Sequence, residues 1–411
     1  MKFTNLKKCF LPFAVAGTIL FSGCSVFGES DNKIVVVDSK TTFAKDALTP
    51  FIQSGEIPGF ISVFCRGNVQ EIACVGWANV EEKRPIAMDQ IFMQCSQTKG
   101  FCGVTIAMLI EEGKISLDDP VSKYLPEFKE MKVLVVGSNK KTTLVPAKNV
   151  LTIRMVMNHT GGFTFEIPTK GKKGWPGLSL RDTAKEAASR PLRFEPGTNS
   201  RYSNTGIDIG AAIVEVVTGK KWEDFLKERI FDPLEMTSAT FNPSDEQLKN
   251  SISLYQVKTG KKAEFVAATS QMPLPHNGPD IHPSAGAGLW INAADQLKFY
   301  RMLMNLGLGD NGVRILNEDT VKNLLATSTR PAALGNYSLG LRPDGKGNFG
   351  HGGAWRTQCT VNWKTKQLRM RVVQQLGSVP ASDRAWGKAA NQFFNMKIND
   401  SGTDSYTGRL K

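Results

Sequence analysis

The stretch SQTKGFCGVTIAMLIEEG, from Ser96 to Gly113, constrains the fold most. At helical spacing its apolar residues Phe101, Cys102, Val104, Ile106, Ala107, Leu109 and Ile110 cover nearly the whole circumference rather than one stripe. Such a helix belongs inside a core, with other elements packed around it. A chain of 411 residues, 41% hydrophobic and 22% charged, is long enough to build that core as one large domain or two.

The surrounding elements come from both ends of the chain. Residues 41 to 55 read as an amphipathic helix, and Gly59 to Val80 as two short apolar strands around a polar turn at Arg66-Gly67-Asn68. Near the other end, AADQLKFYRMLMNLG reads as a helix, GNFGHGG, TQCTVNWK and QLRMRVVQQLG as strands, and ASDRAWGKAANQFFNMK as a closing helix. Between about 115 and 285 strand signals thin out, and helical segments such as VLTIRMVMNH, RDTAKEAAS and GIDIGAAIVEVVTG alternate with Pro- and Gly-rich loops. The expected organisation is an α/β region from residues 41–115 and 286–411 and a mostly helical region over 116–285. The tail after Asn399 is polar and expected to fray.

The first residues, MKFTNLKK, are basic, an apolar run CFLPFAVAGTILF follows, and then SGCS: an export signal, too short to span a membrane. Leu20-Phe21-Ser22-Gly23-Cys24 resembles the lipobox of bacterial lipoproteins, which makes residues 1–23 a signal peptide, Cys24 a lipidation site and 24–40 a polar tether. That implies an exported protein of the cell envelope, lipid-anchored to a bacterial membrane, with a secreted or periplasmic form as the alternative. The net charge of +13 falls to +10 once Lys2, Lys7 and Lys8 leave with the signal. No basic run is dense enough for a nucleic-acid stripe, so nucleic acid is set aside.

Five cysteines lie beyond Cys24 (Cys65, Cys74, Cys95, Cys102 and Cys359), an odd number that cannot be fully paired. Export permits disulfides, and Cys65 could meet Cys74 only if the strand register brings them together. Otherwise the thiols are buried packing groups. No spacing suggests zinc, no H-E-x-x-H or G-x-S-x-G is present, and neither a metal nor an organic cofactor is expected.

The buried helix opens with QCSQTKGFCG, which offers one hydroxyl and two thiols as nucleophiles. Ser96 and Lys99 are three apart and share a helix face, so the lysine can help remove the serine proton, while free N–H groups at the helix start favour developing negative charge. S-x-x-K also occurs at Ser30-Lys33 and Ser138-Lys141, but only the string at Ser96 opens an apolar helix. Tyr202-Ser203-Asn204 is the one Y-x-N of the sequence, in a loop before the helix from Gly206. A phenolate beside an ammonium is stabilised, so Tyr202 suits a general base that later protonates the leaving group, with Asn204 holding Lys99 or the substrate amide.

The run CSQTKGFCGVTIAMLIEEGKISLDDPVSKYLPEF resembles the start of the catalytic region in the serine β-lactamase and penicillin-binding-protein superfamily, in its class C-like branch. The likeness continues through LTIRMVMNHTGGF, EPGTNSRYSNTGIDIGAAIVEVVTGK and SAGAGLWINAADQLKFYRMLMNLG to FGHGGAW, so it spans roughly 41 to 390. It implies a mixed, antiparallel-rich sheet flanked by helices with an inserted helical region, and a serine hydrolase whose branch includes β-lactamases, esterases, D-aminopeptidases and D-alanyl-D-alanine carboxypeptidases. Implied partners are small ester, amide or D-amino-acid peptide substrates, with peptidoglycan among them.

The family's third motif is K-T-G or H-x-G on an inner strand, and both strings occur. Lys258-Thr259-Gly260 falls in a polar turn of the insertion, so His351-Gly352-Gly353 is taken, with Ala354 N–H joining that of Ser96 as an oxyanion hole. Histidine replaces a permanent charge, which weakens capture of the β-lactam carboxylate. The reading is therefore an ester or amide hydrolase first, a carboxypeptidase or β-lactamase second, and a catalytically inactive cell-wall binder as the alternative of another class. His159 in NHTGG is read as structural, Trp355 and Arg356 as cleft lining or a surface strand end, and His276 and His282 gain no assignment. Loops 165–178 and 271–285 are expected to shape the cleft.

Overall fold

The structure, a computed structural model, describes residues 35–37, 42–137, 140–165, 178–258, 260–265 and 282–396. The signal peptide, Cys24, Ser30, Lys33, Ser138, Thr259, His276, most of both cleft-shaping loops and the tail after Asn399 lie outside these residues.

Strand β1 (Val35–Val37) precedes helix α1 (Phe43–Gln53) and the hairpin β2 (Gly59–Arg66) and β3 (Val69–Asn79). β1 pairs in parallel with Val69–Glu71, so the segment read wholly as a tether contributes an edge strand. After β4 (Ile91–Met93) come α2 (Thr98–Glu111), a hairpin of β5 (Lys132–Val136) and β6 (Thr142–Pro146), then α3 (Ile153–Met157), α4 (Leu180–Ala188) and α5 (Asn204–Thr218). The C-terminal part contributes β7 (Trp290–Asn292), α6 (Ala293–Met304), β8 (Asn348–Gly352), β9 (Gln358–Asn362), β10 (Gln367–Val372) and α7 (Pro380–Asn395).

The main sheet runs β1-β3-β2-β10-β9-β8 and is antiparallel apart from the β1 pairing. Its two centre strands come from opposite ends of the chain, with Cys65 opposite Leu368 and Ile61 opposite Val372. β2 is apolar and buried along nearly its whole length because both of its faces are covered. Phe60 and Phe64 point to a layer made by α1 and α7, while Ile61, Val63 and Cys65 point to the larger body around α2. Trp386 of α7 donates to the Ser62 hydroxyl at 2.9 Å, and buried Glu71 accepts from the Phe43 and Ala44 N–H groups at the start of α1. A carboxylate there satisfies open donors and complements the helix dipole.

α2 is buried from Thr98 to Leu109, as its all-round apolar surface requires. Phe101 stacks on Phe299 of α6 at 3.7 Å between centroids, and the Leu339 carbonyl lies 1.8 Å from where a Cβ on Gly103 would stand. Only glycine admits that backbone approach.

Two sequence expectations change. The stretch read as mostly helical also carries the β5–β6 hairpin. Its strands lack apolar alternation because most of their residues are exposed. In the β2–β3 hairpin, Cys65 faces Gln70 and Cys74 faces Ile61, so the two cysteines do not meet and both are free.

Candidate active site

The site forms where three connections converge on the residue before α2. β4 pairs with β7, Met93 opposite Trp290, which brings residues 284–290 alongside. Gln94 N–H donates to the Leu289 carbonyl at 3.1 Å, and the Gln94 carbonyl accepts from the Thr357 hydroxyl at 3.0 Å, tying in the β8–β9 turn. Cys95 then adopts a left-handed backbone, φ 53°, which starts the short turn Cys95–Gln97 and turns the next side chain outward. From Gln90 to Leu109 the one residue not fully buried is Ser96.

Lys99, wholly buried, points its Nζ at three oxygens: Ser96 Oγ at 3.2 Å, Asn204 Oδ1 at 2.6 Å and the Gly286 carbonyl at 2.6 Å. An ammonium has three donors, and each has an acceptor here. The charge also sits 4.6 Å from the Tyr202 ring centroid, in cation–π range. Asn204 is placed by the start of α5, where Ser203 caps the helix by accepting from Gly206 N–H at 3.0 Å. Gly286 must be glycine, since a Cβ there would lie 2.7 Å from the Asn204 Cβ.

Tyr202 is largely buried, and burial pushes its hydroxyl up to about 12; hydrogen bonding with Ser96 and the nearby Arg342 charge act in the opposite direction. Its oxygen lies 3.4 Å from His351 Nε2, and the Tyr337 oxygen lies 3.1 Å from the same nitrogen. His351 Nδ1 is 2.5 Å from the Gly352 carbonyl, which can only accept, so the ring proton sits on Nδ1 and the single lone pair of Nε2 faces the two tyrosine hydroxyls. Burial, then the charges of Lys99 and Arg342, hold His351 well below the usual histidine range, so it is neutral. β8, which carries it, is the edge of the main sheet.

Gly353 closes the other side: a Cβ there would collide with the Gln94 carbonyl at 2.3 Å and Thr357 Oγ1 at 2.2 Å. Ala354 and Trp355 follow with backbone N–H groups against Cys95. Ser96, Lys99, Tyr202, Asn204 and His351 are thus linked by one chain of contacts, and Gly352, Gly353 and Ala354 follow directly on His351. Lys258 and Gly260 border a polar turn between the strands Tyr255–Gln256 and Glu264–Phe265, which belong to a different sheet.

Burial pushes Cys95 up to about 12 and Cys102 well above the usual thiol range, so neither supplies a thiolate. Trp355 is buried with Ile91, Met93, Cys95 and Trp290 beside Ser96, and Arg356 pairs with Asp383, so neither reads as open cleft lining. His159 is buried with φ 66°, its ring against those of Tyr202 and Tyr337 at 4.5 and 4.4 Å.

Sequence reasoning missed three members of the site. The Gly286 carbonyl lies inside the quoted SAGAGLW, but a backbone acceptor leaves no side-chain signature. Tyr337 looks like any packed aromatic. Arg342, exposed, holds its guanidinium 5.5 and 5.8 Å from the Tyr202 and Tyr337 rings and has no carboxylate partner among the described residues. A lone cation in a loop gives no pattern to read.

The sequence profile of the Beta-lactamase family matches residues 44–392. A lovastatin esterase from Penicillium rubens is 27% identical over 312 residues, covering 69% of this chain and 76% of the esterase. Among solved structures, EstCE1, described as a hydrolase with promiscuous acyltransferase activity, superposes with a TM-score of 0.70 at 20% identity over 85% of this chain and 97% of its own. The D-amino acid amidase of Ochrobactrum anthropi, complexed with D-phenylalanine, gives 0.62 at 20% identity over 85% and 98%. Both share the mixed α/β fold with its antiparallel sheet and flanking helices.

Proposed function

Starting from a chain that belongs to the beta-lactamase family, we propose a serine hydrolase that cleaves an ester or amide through an acyl-enzyme on Ser96. The observation that carries this reading is the Lys99 ammonium held by Ser96, Asn204 and Gly286 beneath the one solvent-reaching hydroxyl of the segment. Ser96 Oγ attacks the carbonyl carbon as its proton passes to the phenolate form of Tyr202, and Lys99 stabilises the charge that develops. The tetrahedral oxyanion is received by the backbone N–H groups of Ser96 and Ala354. Collapse breaks the ester or amide bond, Tyr202 returns the proton to the departing alcohol or amine, and water then releases the acid. The chemistry needs no metal or organic cofactor.

The relatives named as an esterase and an amidase agree with this reaction class. A second reading, a D-amino-acid peptidase acting on cell-wall peptides, is favoured by one observation. Arg342 supplies the permanent cation that the histidine of the third motif does not, and a terminal carboxylate would complement it. We further propose that the protein is exported and held at a bacterial membrane by a lipid on Cys24.

Labelling of the purified protein with a fluorophosphonate, followed by a panel of p-nitrophenyl esters, D-amino-acid amides, a D-Ala-D-Ala peptide and nitrocefin, tests the reaction. Wild type labels and Ser96→Ala does not. Equal labelling of Ser96→Ala removes the nucleophile, and no labelling of wild type under any condition supports the cell-wall binder. For the anchor, wild type takes up radiolabelled palmitate and Cys24→Ala does not; equal uptake by both removes the lipid site.

A further inference from the structure

α5 places Asp208 one turn beyond Asn204, on the same helix face. Asn204 reaches Lys99 directly, whereas Asp208 reaches it through the backbone of Gly286. Asp208 Oδ1 accepts from Gly286 N–H at 3.0 Å and from the Ser284 hydroxyl at 3.1 Å, while the carbonyl of the same Gly286 accepts from Lys99 at 2.6 Å. The second oxygen of Asp208 lies 3.4 Å from His282 Nε2, and both side chains are 7% exposed. On its other edge His282 Nδ1 is 2.7 Å from the Leu178 carbonyl, just before the Ser179 cap of α4.

The proton count of His282 follows from its neighbours. A carbonyl only accepts, so Nδ1 carries a proton. Asp208 already accepts from an N–H and a hydroxyl, so the proton between it and Nε2 belongs to the imidazole. With both nitrogens protonated, His282 is an imidazolium.

We propose that Asp208 and His282 are positioning residues that set the Gly286 carbonyl against the Lys99 ammonium, and that the arrangement holds while His282 stays protonated. This rests on the reading of Ser96 and Lys99 as the acylating pair. Charges then alternate along one path: the Lys99 ammonium, the Gly286 peptide dipoles, the Asp208 carboxylate and the His282 imidazolium. Loss of one His282 proton leaves a ring lone pair against an oxygen on one side, Asp208 Oδ2 or the Leu178 carbonyl, so the ring no longer bridges the two and its hold on the carboxylate and its bound Gly286 loosens.

The groups that face the pair agree in sign. Burial acts against a charged His282, but the hydrogen bond and charge of Asp208, the Leu178 carbonyl and the more distant Glu223 together raise it above the usual histidine range. From α2, the Cys102 thiol faces Asp208 and is held neutral by burial first and by that carboxylate second. A histidine raised in the folded protein contributes fully below its ordinary value and loses its contribution as pH rises through the raised one.

The test is the rate of fluorophosphonate labelling of Ser96 against pH in wild type, His282→Gln and Asp208→Asn. At pH 6 both variants are expected to label about tenfold more slowly or worse, from misplacement of the Gly286 carbonyl. The ratio of wild-type to His282→Gln rates should fall as pH rises through the titration of His282. A His282→Gln profile parallel to wild type, with only a lowered melting temperature, would make the role structural and overturn the proposal.

Should the variants not fold, wild type still decides the matter, because the chain has four histidines and their Cε1–H signals can be followed by NMR. One imidazole is expected to stay protonated above the ordinary range. Four imidazoles that are all neutral by pH 7 would sink the idea. If Ser96→Ala labels like wild type, it is the proposed reaction that fails, and the NMR titration still reports separately on whether His282 is charged.

Discussion

Replacing Gly286 with alanine probes the Lys99 pocket at its tightest point. The new Cβ would stand 2.7 Å from Asn204 Cβ and 2.8 Å from its Cγ and Oδ1, where ordinary contact begins at 3.4 Å, a shortfall of about 0.7 Å. Asn204 has little room to retreat, because its N–H is tied to the Phe165 carbonyl at 2.8 Å and its Oδ1 to Lys99 at 2.6 Å. Gly286 is held from below by Asp208. One of the two 2.6 Å contacts to Lys99 must therefore lengthen by about that shortfall, into the weak range of hydrogen bonding. Overpacking of this kind costs about 1–3 kcal/mol of stability. A displacement approaching 1 Å among reacting groups costs up to about 100-fold in rate, so a loss of roughly 10- to 100-fold is expected. Fluorophosphonate labelling and p-nitrophenyl ester turnover measure the rate, and circular dichroism gives the folded fraction at each temperature. A folded Gly286→Ala protein that labels within about twofold of wild type would refute the claim that this carbonyl positions Lys99.

Three further outcomes follow from the same geometry. Tyr202→Phe should lower the labelling rate by about 100-fold or more, the usual worth of a positioned acid or base. Because the Tyr202 hydroxyl is pushed up to about 12, its basic form grows as pH climbs, so the His282→Gln rate should rise across the neutral range; a flat profile would point to another base. Arg342→Gln should raise KM for a D-amino-acid peptide with a free carboxylate by about 10-fold or more, the worth of a charge-assisted hydrogen bond, and leave KM for a neutral ester unchanged; an equal rise in both KM values would remove the carboxylate role. Since Cys65 and Cys74 are free, a reductant should leave the melting temperature unaltered, and a drop of several degrees would reveal a crosslink that the strand register forbids.

What could be read in advance follows the physics of each signal. The double-ended sheet was legible because β2, β3 and β8 to β10 are apolar runs bounded by glycine and polar turns, and the buried helix because no polar face interrupts it. Ser96 with Lys99, and Tyr202 with Asn204, were legible because their chemistry is carried by side chains at fixed short spacing. The β5–β6 hairpin was not, since Val135, Val136 and Leu144 are exposed and the two-residue period of a half-buried strand is missing. β1 was not, because the four apolar residues from Ile34 to Val37, set among polar ones, are too short a run to tell from a linker. Asp208 did leave a trace, as the carboxylate in the apolar first half of GIDIGAAIVEVV, whose other one is Glu215, but a charge on a helix is most often at the surface and nothing in the string says that this one is buried against Gly286.

The proton inventory of the resting cleft explains why a histidine can stand in the third motif. Lys99 spends its three protons on Ser96, Asn204 and Gly286, so it accepts none. Ser96 Oγ, already receiving one of them, directs its own proton toward Tyr202, with which it is hydrogen-bonded. Tyr202 must in turn place its proton elsewhere, and the acceptor in reach is His351 Nε2, which Tyr337 also faces. A lysine at position 351 is a donor with no lone pair to offer when charged, so it would remove the acceptor that the Tyr202 and Tyr337 hydroxyls face here. A neutral imidazole, fixed in one tautomer by the Gly352 carbonyl, lets every proton from Lys99 to Tyr202 point the same way. That resting order aims the Ser96 proton at Tyr202 and asks of His351 only a neutral acceptor, which in the proposed reaction leaves Arg342 as the cation for an anionic substrate.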